Sequence, residues 1–333
     1  MLPIFTIFAC DMSFEEFEEG KDTESITYRP GRLQALFHLF LGFVFFSGAL
    51  FLLGGVATVI FSYYIHGEIL GTAEMPNLMV SLKSQPNALK FFAFISSTLP
   101  MIVGVLLACI FIKATPVHYL SLSKPRSAMW VIVSMVFVFV CVTLMGFMLD
   151  INKLVDFSQW PTFYKWLQTQ ESNNNALYEA MVGNRSILSF ILSILFMALA
   201  PAIAEEMLFR GFLMNAFNGL FKNMHVAIVV TSVLFSLVHL QFMKFLPMFF
   251  LALAFGYAAY WSGSIWTSIA AHFINNSLAV IQLYFFTDGD YIKALEQGAS
   301  MPMAVNIVLL GLAVVLFIYI QKNADTKTQN FYV

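Results

Sequence analysis

Apolar residues along this chain neither alternate with polar ones nor recur on a single helical face. They run on, in stretches of about twenty or more, a length that matches the hydrocarbon core of a bilayer. Eight such stretches stand at roughly 33–63, 89–113, 128–149, 186–218, 225–243, 245–262, 264–286 and 302–321. Inside lipid every backbone N–H and C=O must be paired within the segment, so an unbroken apolar run reads as a helix. The expected fold is therefore all-α, a polytopic membrane protein with about eight transmembrane helices. The first and fourth stretches exceed one bilayer crossing and are expected to tilt or kink, with Pro201 as the kink point of the fourth.

Composition sharpens this picture. The 333 residues are 59% hydrophobic, 16% aromatic and 11% charged, against about 25% charged in an ordinary soluble domain. A net charge of −2 is too small for a nucleic-acid-binding surface, so no nucleic-acid partner is expected. Cys10, Cys109 and Cys141 are far apart in sequence. They have neither metal-ligand nor disulfide spacing, and Cys109 and Cys141 read as small core residues. The N-terminal run has no basic stretch and contains Pro3. It does not read as a signal peptide, and Met12 is an alternative start.

Orientation follows from Lys and Arg near the span ends. Lys21, Arg29 and Arg32 precede the first span, Lys113, Lys124 and Arg126 lie between the second and third, and Lys322 and Lys327 follow the last. With eight spans these segments share one side, which places both termini in the cytoplasm. The opposite loops, 64–88 and 150–185, carry fewer basic residues for their length, although Lys83, Lys90, Lys153, Lys165 and Arg185 dilute the bias. Trp160, Tyr164 and Trp166 suit an interfacial amphipathic segment. The chain thus divides into a cytoplasmic tail (1–32), N-terminal helices and loops (33–185), a core (186–286), and a last helix with its tail (287–333).

Against this background one stretch is anomalous. Residues 204–212 read AEEMLFRGF, and Glu205, Glu206 and Arg210 are the acidic and basic residues well inside an apolar span. Each such residue costs about 2.5–3.5 kcal/mol at a helix centre on insertion scales, which makes it a candidate for function. Glu206 and Arg210, at i and i+4 with the acid first, are spaced to pair. That pair leaves Glu205 unexplained, about 100° around the helix. Candidate partners lie further on: His239 with Phe235 four residues before it, and His272 with Asn276 four residues after it. Counting from the turn near residues 220–223, Glu205 lies about 16 residues before and His239 about 17 after, so an antiparallel hairpin brings them level. The same count through the next two turns puts His272 and Asn276 within about one helical turn of that layer. His38, His66, His118 and His225 lie near span ends or in loops and read as hydrogen-bonding residues.

The series EExxxR (Glu205, Glu206, Arg210), FxxxH (Phe235, His239) and HxxxN (His272, Asn276) resembles the motif series of the CPBP family. That family groups the type II CAAX prenyl endopeptidases with the Abi, or bacteriocin-processing and immunity, membrane proteins. The resemblance covers about 186–285. It implies an α-helical intramembrane endopeptidase, often described as a metalloprotease. Glu205, His239, His272 and Asn276 would be catalytic, and Glu206 and Arg210 mainly structural.

The residue types themselves suit peptide hydrolysis, which needs an activated water and donors for the developing oxyanion. Glu205 is assigned as general base, His239 as the group that holds or polarises the water, and His272 with Asn276 as oxyanion donors. Two His and one Glu also make a zinc set with an open fourth position, so a zinc ion held by Glu205, His239 and His272 is the alternative to direct chemistry. The missing HExxH and the weak ligand character of Asn favour the direct route. The expected partners are the bilayer and a peptide or membrane-protein substrate, lipidated or not. Two non-enzymatic readings compete: a scaffold or immunity protein of the same fold, and a proton-coupled transporter, although repeats and interrupted helices are lacking. Gly256, Ser262, Gly263 and Ser264 suit either a water-filled cavity or close helix packing.

Overall fold

Each of the eight apolar stretches forms helix. The computed structural model describes residues 30–71, 74–183, 186–285 and 302–332, with side chains as far as residue 323. The expected tail over residues 1–29 and the segment 286–301 fall outside the described residues. In order, the helices are α1 (Arg32–His66), α2 (Met75–Lys83), α3 (Pro86–Phe111), α4 (Pro116–Tyr119), α5 (Ala128–Thr143), α6 (Met145–Asn152) and α7 (Pro161–Val182). They continue with α8 (Ile187–Phe221), α9 (Met224–Val238), α10 (Phe245–Ser262), α11 (Ile265–Phe285) and α12 (Met303–Tyr332).

Among the described residues, five segments are long and apolar enough to cross a bilayer: Arg32–His66, Pro86–Phe111, Ile187–Phe221, Phe242–Ser262 and Met303–Asn323. The pair α5 and α6, bent by 43°, makes a sixth if taken as one span. The count of eight is therefore approximate, and the two helices that fall short do so for a reason. Helix α9 has 15 residues, about 22 Å against a hydrocarbon core of about 30 Å. Helix α11 is long enough at 21 residues, but His272, Asn275, Asn276 and Ser277 dilute its apolarity. These are the helices that deliver His239, His272 and Asn276.

A tight hairpin joins α8 to α9. Lys222 closes α8 in the left-handed region (φ 57°), and the Asn223 side chain caps α9 by accepting from the backbone N–H groups of His225 and Val226. At the other end α9 stops at His239, and Leu240 turns the chain with φ 54°. A 3-10 turn, Phe242–Lys244, then leads into α10. Buried Asn152 pins this turn: its Nδ2 donates to the carbonyls of Phe242 and Met243, and its Oδ1 accepts from Leu246 N–H.

Helix α8 runs as one span past Pro201. Instead of a break, the helix widens into π turns at Ile194–Leu199 and Met207–Leu213, on either side of Ala200–Glu206. A widened turn makes room for the proline ring, and π turns recur at functional sites. The main core lies between α5, α8, α9, α10 and α11, around Phe137, Phe212, Phe235, Phe255 and Trp261. A smaller one joins α1, α2, α3 and α7 through Phe61, Leu78, Leu82, Leu89 and Met181. Gly256 serves close packing rather than a cavity, since a Cβ there would stand 2.8 Å from Ile228 Cγ2 on α9. Cys109 and Cys141 are buried and free. Lys90 lies inside α3, fully buried, and donates to Asn87 Oδ1, Ser189 O and Ser189 Oγ. His38 and His225 bond the hydroxyls of Tyr119 and Tyr257.

Candidate active site

The two neighbouring acids of α8 point into different surroundings. Glu206 is fully buried, and Arg210 one turn on is equally so. Arg210 Nη1 donates to Glu206 Oε1 at 2.9 Å, and Nη2 donates to the carbonyl of Ala252 on α10 at 2.8 Å. The guanidinium also lies over the rings of Phe235 (4.9 Å) and Phe255 (5.6 Å), a contact that favours a desolvated cation. Glu205, one residue earlier, keeps 15% of its side chain accessible. Successive positions about 100° apart on the helix account for the division.

Glu205 is met by both histidines. Its Oε2 stands 3.9 Å from His239 Nε2 and 3.8 Å from His272 Nε2. Each imidazole is held from behind. His239 Nδ1 is 2.6 Å from the carbonyl of Phe235, so Nδ1 carries the proton and donates. His272 Nδ1 is 2.9 Å from Glu206 Oε1 and donates to that carboxylate. Both rings therefore present Nε2 to Glu205, the orientation that the partner of the far nitrogen dictates. Aromatic packing fixes the ring planes: Phe255 stacks on His272 at 4.9 Å, and Phe235 lies 4.6 Å from His239 and 6.0 Å from His272.

Glu206 Oε1 thus serves two donors, Arg210 and His272, which makes the buried ion pair the support of one site histidine. Among the described residues its Oε2 has no hydrogen-bond partner within bonding distance. Asn276 does not join this network through any hydrogen bond to the other site residues. It lies on the His272 face of α11, half-buried, with its Oδ1 accepting from Asn275 Nδ2 at 3.4 Å. Phe255 and the Ala252 carbonyl were not anticipated from sequence. Phe255 is one aromatic among several in α10, and a backbone carbonyl leaves no mark in a sequence.

The separations of 3.8 and 3.9 Å are too long for direct hydrogen bonds. They leave reach for a bridging water held by Glu205 and either imidazole. Among the described residues no group of three His, Cys, Asp or Glu is arranged to hold an ion. Both histidines approach Glu205 Oε2, the point they share. Their back-side partners, a carbonyl and a carboxylate, would suit metal-bound and metal-free imidazoles alike.

A family model described as "Type II CAAX prenyl endopeptidase Rce1-like" matches residues 187–278, the span that carries all three motifs. Over 125 residues the chain is 26% identical to the uncharacterized protein YpbD of Bacillus subtilis (strain 168), covering 36% of this chain and 59% of that protein. No solved structure matches.

Proposed function

We propose that this chain is an intramembrane endopeptidase that hydrolyses peptide bonds of membrane-associated or lipidated substrates. The observation that carries the reading is the convergence of two imidazole Nε2 atoms on Glu205 Oε2, 3.8 and 3.9 Å away, within a helical membrane protein. The family match over 187–278 supports the reaction class, and residues 186–286 are the proposed catalytic core.

In this mechanism Glu205 takes a proton from a water that His239 Nε2 positions. The hydroxide adds to the scissile carbonyl carbon, and the resulting oxyanion is met by the Asn276 amide and by His272. Donation from His272 Nε2 requires the imidazolium, with Nδ1–H still on Glu206. When the C–N bond breaks, the proton held by Glu205 passes to the leaving amine. Glu206 and Arg210 keep His272 in place and do not touch the substrate. No step passes through a metal.

The test is peptide-terminus profiling of membranes from cells that express wild type or Glu205→Gln at matched levels. New termini that depend on wild type establish the protease and identify its substrates. Identical profiles, with the variant still supplying whatever a deletion strain lacks, would replace this reading with a binding scaffold.

A further inference from the structure

Helix α7 lies outside the spans, yet both its ends are docked. Near its start Phe163 and Trp166 pack on Phe242, with ring centroids 6.0 and 6.4 Å apart, and Lys244 Nζ binds Glu171 Oε1 at 2.9 Å. Phe242–Lys244 is the turn that follows His239. At its far end Met181 joins the smaller core, and the Val182 carbonyl accepts from Ser189 Oγ on α8. In between, α7 packs against α11, the helix of His272 and Asn276. It therefore crosses from the His239 side of the site to the α8 and α11 side.

The inward stripe of α7 is unusual in its middle. Leu167 and Met181 are buried, as expected of a docked helix. Between them the same stripe presents Gln170, Glu171, Asn174 and Asn175, all half-buried. A helix that rests only on apolar side chains would not carry amides there. One turn after Asn174, Tyr178 keeps 44% of its surface accessible. Its hydroxyl is nevertheless pushed up from the usual tyrosine value, by desolvation first and then by the negative charge of Glu205. The charge acting on it belongs to the proposed base, in keeping with the packing of α7 against α11.

We propose that α7 is the peptide-binding wall of the site, with Asn174 and Tyr178 hydrogen-bonding the main chain of an extended substrate segment across from Glu205. The inference rests on the endopeptidase reading and adds to it where the substrate lies. Asn174 and Tyr178 are i and i+4 on one face. An amide offers both donor and acceptor, which matches the alternating groups of an extended chain, and the protonated phenol is a donor. Recognition of this kind selects for unfolded, extended polypeptide and is indifferent to its side chains.

The experiment uses the full-length protein in lipid nanodiscs and the substrates whose termini depend on Glu205. Asn174→Ala and Tyr178→Phe are each expected to raise KM about 2- to 12-fold, one hydrogen bond's worth, at nearly unchanged kcat. Asn173→Ala, on the outer face, leaves both parameters as in wild type. In Glu205→Gln membranes, a photoreactive benzophenone side chain at position 174 captures the substrate, and the same group at 173 does not. Unchanged KM in both inner-face variants, or capture as ready at 173 as at 174, overturns the assignment of α7 and leaves the endopeptidase standing. If no termini depend on Glu205, the endopeptidase reading falls first and takes this one with it.

Discussion

Replacing Arg210 by alanine tests the division of labour within the motif. The side chain is 2% accessible and its partner Glu206 is fully inaccessible. The substitution removes the 2.9 Å ion pair, the bond to the Ala252 carbonyl and two ring contacts together. What remains is a buried carboxylate with one oxygen on His272 Nδ1 and, among the described residues, no hydrogen-bond partner for the other. Breaking a buried pair by deleting one member costs about 3–5 kcal/mol, because the remaining charge stays desolvated. That is roughly two to nearly four orders of magnitude in the folding equilibrium. Arg210→Ala should therefore lower the steady-state level in membranes and the thermal midpoint in detergent, whatever becomes of activity. The double variant Arg210→Met/Glu206→Gln removes both charges, keeps most of the volume and leaves an acceptor for His272. It is expected to recover most of the lost stability, since the penalty lay in the unpaired charge. A wild-type midpoint for Arg210→Ala, or a double variant no more stable than the single one, would refute the argument.

Glu205→Gln should cut cleavage by about 10²- to 10⁴-fold at an unchanged membrane level, because Glu205 makes no direct hydrogen bond to either histidine; activity within a few-fold of wild type would remove it as the base. Phe255→Ala removes the ring stacked on His272 and beneath Arg210 and should cost about 3–5 kcal/mol of stability along with activity, so a variant silent in both thermal unfolding and cleavage would show that the ring does not support the site. The direct mechanism expects purified active protein to contain far less than one zinc per chain and to survive chelation. Activity lost to a chelator and restored by zinc alone would show that Glu205, His239 and His272 act as ligands instead. Ser172 is exposed on α7. If both termini are cytoplasmic, Ser172→Cys should react with a membrane-impermeant maleimide applied to intact cells, and labelling seen only after permeabilisation would reverse the topology.

What could be read from the sequence, and what could not, follows from how each feature is encoded. The helices announce themselves because a bilayer demands long apolar runs, and all eight runs are helical. The level meeting of Glu205 and His239 was accessible to counting, because α8 and α9 are joined by a turn of a few residues and rise by the same amount per residue. The same counting set His272 in this layer, and Oε2 of Glu205 indeed stands as close to His272 as to His239. Rotation about the helix axis is less secure. The π turn at Met207–Leu213 changes the phase of everything after Glu206, and the apolar pattern around it carries no trace of the change. Lys90 read only as a residue that dilutes the charge bias, because its neutral partners, Asn87 and Ser189, are unremarkable in type or far away in sequence. Phe255 and the polar stripe of α7 were invisible for the same reason: they acquire meaning from the helix opposite them.

In the proposed mechanism the consecutive acids resolve one electrostatic difficulty. A carboxylate that must accept a proton from water has to remain reachable and only weakly bonded, which in a membrane leaves it poorly stabilised. A carboxylate that must orient a histidine has to be rigid and fully bonded, which in a membrane requires a counter-charge. One residue cannot meet both requirements. Placing the two side by side on a helix separates them by about 100°. Glu206 turns into the core, where Arg210 neutralises it and the Phe235 and Phe255 rings exclude water. Glu205 turns to the accessible side, with two imidazoles at a water's reach. The coupling between them is His272, whose Nδ1 is fixed by the first acid while its Nε2 faces the second. Loss of Arg210 should therefore reach the chemistry through His272, and whatever Arg210→Ala protein does fold should be impaired in kcat more than in KM.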